Sequence, residues 1–414
     1  MTAGTSQLWR RTARWGLAYA LAWTLAVPIG VAVAPEAVAA DVRSKQWYLD
    51  AMHAEEIWKK TTGEGIKVAV IDSGVNPSTQ SLKGQILKGF DASGMAGDET
   101  DDYEGHGTTM AELIAGTGKG GGLRGLAPGV KIIPMRISDT ERQNKGPVNA
   151  SDAPDAIRAA ADSDAQIISM SFGSEFSSPK ERQAVKYAQS KGKLFFAAAG
   201  NSGHKDNKPN YPANYDEVVA VSSTDSSGTV SDHSQHGDNV DIAAPGSDIP
   251  SWCDTSFTRY CDSGGTSAAT ALASASAALI WSLHPDWTAN QVLRVMFESA
   301  ARDDNWKPGT VSTYLGHGIV RPNAHISRGI GKPGAADISP LTNKTTNGSG
   351  PSGSPAPSAS AAPQAPKPGS DAVAAGSSGK TEDDGQLLMV LGGAAAVVVL
   401  AGVVFAVLRR RRSA

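Results

Sequence analysis

Lys67-Val68-Ala69-Val70-Ile71-Asp72-Ser73-Gly74 is the stretch from which the architecture follows. Four consecutive apolar residues, three of them β-branched, leave no polar face, so this run reads as a strand buried on both sides. Strands of that kind belong to parallel sheets, whose neighbours are joined through helices. Similar runs recur at Lys131 to Ile137, Gln166 to Ser171, Leu194 to Ala199, Glu217 to Ser222 and Val240 to Ala243. Helical spacing appears between them at Ala153 to Ala161 and at Pro179 to Lys191, the second stopped by Lys191-Gly192. Further helices are predicted over Gly107 to Gly116, Ser267 to Leu283 and, after the Pro285 break, Thr288 to Ala300. The alternation over residues 41–330 predicts an α/β domain with a central, mostly parallel sheet covered on both faces.

Asp72 closes the first of these strands, which sets its carboxylate at the carboxyl edge of the sheet, where α/β domains build their sites. Alone, an Asp there is more often a turn former or a helix cap. His106, between Gly105 and Gly107, opens a predicted helix, and a lone histidine in that place is usually a surface residue. Ser267 lies in Asp262 to Ala269, DSGGTSAA, and could by itself be a helix N-cap. Taken together, a carboxylate, a base and a hydroxyl at strand ends and helix starts are what acyl transfer needs, because a serine hydroxyl must lose its proton as it attacks.

The chain has 414 residues and a formal charge of -3, which carries no signal for a nucleic-acid partner. Its two cysteines, Cys253 and Cys261, flank a short loop ahead of Ser267. In an exported domain a disulfide is the default reading. A metal site with His233 and His236 is the rival, although HxxH followed by CxxxxxxxC is not a usual zinc spacing. No cofactor or metal is expected, and a structural calcium ion is not indicated.

The two ends differ in composition from the middle. In residues 1–40, Arg10, Arg11 and Arg14 precede an apolar run from about Leu17 to Val33, and small residues end it at Ala37-Val38-Ala39-Ala40. That is the pattern of a signal peptide, with a retained amino-terminal anchor as the rival. Residues 331–385 are rich in Pro, Ser, Ala and Gly and read as a disordered linker. Residues 386–408 hold the uncharged run Leu387 to Leu408, long enough at ~1.5 Å per residue for a hydrocarbon core of roughly 30 Å. This transmembrane helix is followed at once by Arg409 to Arg412 in the basic tail, residues 409–414. Basic residues stay in the cytoplasm, so the expectation is a single-pass protein of the cell membrane with its folded domain extracellular. A sorting-type wall anchor has the same tail, but Thr381-Glu382-Asp383-Asp384-Gly385 supplies no such signal.

Eight collinear stretches, VAVIDSG, GHGTTMAELIAG, RGLAPGVKI, IISMSFG, AAAGNSG, VAVSST, DIAAPGSDI and GGTSAA, resemble the subtilisin-family serine proteases from about Trp47 to Ile326. The order Asp, His, Ser also differs from the orders in trypsin-like proteases and α/β-hydrolases. The resemblance implies a three-layer subtilisin-like fold and a serine endopeptidase acting on polypeptide. It implies that Asp72 orients the histidine, that His106 is general base and then acid, and that Ser267 is the nucleophile. It places Asn201 in the oxyanion hole with the Ser267 N–H as partner, and makes Ser171-Phe172-Gly173 the substrate-binding edge strand. Two positions depart from the family pattern GTSMAAP: Ala268 and Ala271 shrink the packing behind the serine without removing a chemical group. The acidic loop Asp98 to Glu104, just before His106, either biases the cleft toward basic residues or is simply solvated.

A short amino-terminal extension, a Pro-rich tether and one carboxy-terminal span make the whole chain resemble the mycosins, membrane-anchored subtilases associated with type VII secretion. That resemblance implies type VII secretion components as partners. The alternative is a structural subunit of a secretion complex with a weak or inactive protease domain.

Overall fold

The apolar runs form the strands they predict, and their order in space is not their order in sequence. The computed structural model describes residues 42–138 and 152–346, apart from 304 and 308. In chain order the elements are α1 (Trp47–Ala51), α2 (Ala54–Trp58), β1 (Lys67–Asp72), β2 (Phe90–Asp91), α3 (His106–Ala115), β3 (Lys131–Arg136) and α4 (Asp152–Asp162). There follow β4 (Ile167–Met170), α5 (Pro179–Ser190), β5 (Leu194–Ala198), β6 (Val219–Thr224), β7 (Ile242–Pro245), β8 (Ile249–Trp252) and β9 (Tyr260–Ser263). The last elements are α6 (Thr266–Leu283), α7 (Ala289–Ser299) and α8 (Pro322–Arg328). The sheet runs β2-β3-β1-β4-β5-β6-β7 and every pairing in it is parallel. β8 and β9 form a separate antiparallel hairpin.

The two-residue period of β1 divides the core. Val68 and Val70 point into one layer with α3, α6 and α7, whereas Ala69 and Ile71 point into the other with α4 and α5. β4 and β5 do the same, Ile167 and Phe196 on the first side, Ile168 and Phe195 on the second. This is the three-layer α/β arrangement expected from the sequence. α6 is buried from Thr266 through Trp281 because its Ala and Ser side chains let it approach β4, β5, β6 and β7 together. It is long and apolar enough to cross a membrane, yet 89% of it is buried inside the domain. Ala268 and Ala271 are part of that packing, at 4% and 0% exposure.

Local signals set the helix ends. Ser178 caps α5 by accepting from the Glu181 N–H, with Pro179 in the first turn. Thr288 and Gln291 form a reciprocal capping box at the start of α7. β6 and β7 begin two residues later than their apolar runs suggest. Glu217 instead lies near Arg182 and Lys186, and the Val240 N–H turns back to the Gly237 carbonyl.

The structured region extends past the expected linker start at 331. Asn290 and Arg294 of α7 bond to the carbonyls of Ala336 and Ile338, Glu298 accepts from the Lys332 N–H, and Ile338 bridges to Thr345. Before β1, Tyr48 and Ile57 are fully buried, on the order of 1.5–3 kcal/mol each by area. The expected signal peptide, transmembrane helix and basic tail lie outside the described residues.

Candidate active site

The site is assembled at the carboxyl edge of β1. Asp72, 5% exposed, accepts from the backbone N–H of Ser73 at 2.8 Å and meets His106 Nδ1 at 2.7 Å through Oδ1. A carboxylate oxygen only accepts, so Nδ1 carries the proton, and neutral His106 keeps Nε2 free as a base. His106 reaches Asp72 because Gly105 turns the chain at φ 88° before α3. A side chain at Gly107 would run into the Gly74 carbonyl and the Asp72 side chain, so only glycine lets α3 sit this close to β1.

Asp102 holds the start of α3 in place. Its Oδ1 accepts from the N–H groups of Glu104 and Gly105 at 3.0 and 2.8 Å and from Ser73 Oγ at 2.8 Å. Its Oδ2 accepts from the N–H and hydroxyl of Thr108 at 2.8 and 2.6 Å. Asp98 and Asp101 are likewise engaged within their own loop. Asp102 alone is thus turned inward as scaffolding for the histidine helix, while Asp98 and Asp101 stay exposed on the loop. Charge counting along the sequence did not reveal this role for Asp102.

Ser267 is not the N-cap of α6. Gly265 is, and Ser267 sits inside the first turn, where the backbone N–H groups have no helical acceptor and the positive end of the helix dipole lies. Its hydroxyl donates to the Ser171 carbonyl at 3.3 Å, and the Ser171 hydroxyl donates to the Ser267 carbonyl at 3.2 Å. In this rotamer it makes no hydrogen bond to His106, although α3 and α6 pack against each other. A rotation about the Cα–Cβ bond is what would redirect its proton, and resting sites are commonly looser than reacting ones.

Asn201 is oriented by Thr266. Its side-chain oxygen accepts from the Thr266 N–H at 2.9 Å and from Thr266 Oγ1 at 3.0 Å, while Thr266 Oγ1 accepts from the Gly200 N–H at 3.1 Å. Because a backbone N–H needs an oxygen opposite it, the amide cannot be flipped, and Nδ2 is the end left for a ligand. Asn201, Ser267 and the segment Ser171, Phe172, Gly173 line one cavity of about 270 Å³. The ladder of β4 stops at Met170, so 171–173 leave the sheet without a strand partner of their own. Gly173 packs on the Asn210 side chain, which is fixed by donating to the Ala198 carbonyl at 2.9 Å. Thr266 is a second residue that motif reading did not single out.

Cys253 and Cys261 are joined in a disulfide across the β8–β9 hairpin, so the rival metal reading with His233 and His236 fails. The hairpin is fastened to α3, the Trp252 N–H donating to Thr109 Oγ1 at 3.0 Å. Among the described residues no group of three or more His, Cys, Asp or Glu is arranged to hold a metal ion.

The geometry has clear counterparts among known proteins. The model of the subtilase family matches residues 63–318. Thermitase of Thermoactinomyces vulgaris is 38% identical over 229 residues, 55% of this chain and 78% of thermitase. The fold is similar to that of MycP1 from Mycobacterium smegmatis, with a TM-score of 0.57 and 27% identity over 68% of this chain and 84% of that one. It is equally similar to the MycP3 protease from the type VII (ESX-3) secretion system, with a TM-score of 0.57 and 28% identity over 68% and 87% of the two chains. By sequence, fold and the set of residues gathered at the edge of its sheet, the chain belongs to the subtilase family of serine proteases.

Proposed function

We propose that this protein is a membrane-anchored endopeptidase that works outside the cytoplasm and hydrolyses peptide bonds through an acyl-enzyme formed on Ser267. The 2.7 Å bond between Asp72 and His106 Nδ1 carries the reading, because it leaves Nε2 as the base on a helix packed against the helix of Ser267. In the first step the Ser267 proton passes to His106 Nε2 as Oγ attacks the carbonyl carbon. The oxygen that becomes negative is met by Asn201 Nδ2 and the Ser267 N–H, donors held in place before the reaction. His106 then gives its proton to the leaving amine, and water repeats the sequence on the acyl-enzyme. Asp72 stays ionised throughout, fixing the tautomer and stabilising the imidazolium.

Residues 171–173, free of any ladder, are suited to pair with an extended segment of substrate, which favours unfolded or loop polypeptide. Polar side chains such as Asn210 and Gln235 line the adjoining cavity, which favours a small or polar substrate side chain there.

The signal-like amino terminus, the linker that follows Thr346 and the apolar run before Arg409 support attachment by one span with the protease domain outside. The likeness to MycP1 and MycP3 supports a link to type VII secretion components. Two measurements test this. Purified full-length protein should degrade unfolded casein, and Ser267→Ala should not. Protease added to intact cells should release a fragment that ends beyond residue 346. A chain wholly protected from added protease contradicts the topology.

A further inference from the structure

The hairpin β8–β9 grips one face of α3, at Thr109 and Glu112, which lie one turn apart. Trp252 of β8 donates its backbone N–H to Thr109 Oγ1 at 3.0 Å, and Tyr260 of β9 donates its hydroxyl to Glu112 Oε2 at 2.7 Å. Both acceptors are buried, Thr109 at 1% and Glu112 at 0% exposure. The two gripping residues stack on each other with ring centroids 3.8 Å apart, and the Cys253–Cys261 bond staples their strands beside them. Tyr260 is secured in turn by the Leu123 N–H, which donates to its hydroxyl at 3.2 Å.

Thr109 passes that grip back to His106. Its hydroxyl gives its own proton to the Gly105 carbonyl at 2.8 Å, to which the Thr109 N–H also donates at 3.1 Å. Gly105 is the left-handed residue from which α3 starts, and its carbonyl belongs to the peptide group that carries the His106 nitrogen. The hairpin also covers this turn directly: a Cβ on Gly105 would lie 3.3 Å from both the Asp254 carbonyl oxygen and Trp252 Cβ. Having one proton to give, the Thr109 hydroxyl accepts from the hairpin and donates to the Gly105–His106 peptide, joining the two. A threonine that bonds back to the carbonyl four residues earlier slightly destabilises a helix, so helix formation does not account for it. β9 then runs through Gly264 and Gly265 into Ser267, so the same hairpin adjoins both the base and the nucleophile.

We propose that Thr109 is a positioning residue for the reaction, setting where His106 stands against Asp72 by tying the Gly105 carbonyl to the disulfide hairpin. The inference rests on the reading of Asp72, His106 and Ser267 as a protease centre. Without the hydroxyl, the Trp252 N–H loses its acceptor and the Gly105–His106 peptide is free to tilt. His106 then leaves the orientation in which its bond to Asp72 is 2.7 Å. Reaction rates respond to shifts of about 1 Å in such a group. Thr109 is not among the residues that line the cavity beside Ser267, so substrate binding is left as it was.

The test is steady-state hydrolysis of a chromogenic peptide by the full-length protein, well below its melting temperature. Thr109→Val keeps the size of the side chain and removes the hydroxyl. Its kcat should fall about three- to tenfold, the factor that one ordinary hydrogen bond represents, with KM unchanged. Thr109→Ser, which puts the hydroxyl back, should restore wild-type kcat. Ile157→Val, in α4 on the opposite face of the sheet, is a destabilised control that should keep wild-type kcat. Should Thr109→Val not fold, Thr109→Ala takes its place with the same expectation. Wild-type kcat in the hydroxyl-free variant, a loss confined to KM, a loss that Thr109→Ser does not restore, or one that Ile157→Val shares overturns the proposal and leaves the protease reading standing. A wild-type protein that neither cleaves the peptide nor takes up a fluorophosphonate ends that reading, and the proposal falls with it.

Discussion

Replacing Asn201 separates two jobs that one amide performs. Its oxygen holds Thr266 through two hydrogen bonds, of 2.9 and 3.0 Å, and its nitrogen is the proposed donor to the reacting oxygen. Asn201→Ala removes both functions. Losing the two bonds should cost about 1–2 kcal/mol of stability at roughly 1 kcal/mol each. Losing the donor should cost about 10²–10³ in kcat, equivalent to roughly 2.7–4 kcal/mol, a range that comes from a subtilisin. Asn201→Asp keeps the oxygen that accepts from Thr266 and replaces only the donor, so it should lose at least as much activity with less loss of stability. Steady-state kinetics on a chromogenic peptide substrate, beside thermal melts, would separate the effects. The loss should fall in kcat with KM nearly unchanged, because the bond forms only once the oxygen is charged. A fall of less than about fivefold in kcat for both folded variants, or a loss confined to KM, would refute this role.

Asp72→Asn should lower kcat by about 10⁴ with the fold intact, because an amide stabilises the wrong His106 tautomer; the same kinetic assay reads it. Cys253→Ser with Cys261→Ser should cost about 2–3 kcal/mol in chemical unfolding, the closure entropy of a short loop. Gly107→Ala should abolish activity and lower the melting temperature, since its methyl group has no room beside Gly74. Glu112 and Glu181 are pushed by burial to about 7 from 4.5. Between those values the folded state holds protons that the unfolded chain has released, so stability falls as pH rises from about 4.5 to 7. Thermal melts should therefore show a higher midpoint at pH 5 than at pH 7.5, with the difference reduced in Glu112→Gln.

The legible parts of the fold were those with a strong local pattern. β1, β3, β4 and β5 are apolar runs bounded by turns, and α5 carries its own cap and stop. β2 is only Phe90 and Asp91, too short for any period, and α1 and α2 span five residues each. β8 and β9 contain Pro250 and a half-exposed Tyr-Cys-Asp-Ser, so alternation is absent, and antiparallel pairing under a disulfide makes them strands. Composition assigned 331–346 to the linker because Pro and Gly there resemble a tether, while their hydrogen bonds to α7 are a tertiary matter.

At the site, Asp72, His106 and Ser267 stood out because glycine lies within two residues of each and an acyl-transfer centre needs a carboxylate, a base and a hydroxyl, whereas Asn201 came only from the resemblance to the subtilases. Asp102, Thr266 and Glu112 did not, for a common reason. Each acts by accepting or directing hydrogen bonds from residues distant in sequence or on another turn, and neither residue type nor spacing marks that. Ala268 and Ala271, which break the family pattern, are absorbed by the close packing of α6.

The central claim is that Ser267 is a nucleophile activated by His106 and Asp72. Incubating the full-length protein with a fluorophosphonate and measuring its intact mass tests it most directly. The account predicts one adduct per chain, mapped by peptide analysis to Ser267, absent in Ser267→Ala and strongly slowed in His106→Ala. A folded wild-type protein that gains no adduct, or gains one on another residue, would contradict it.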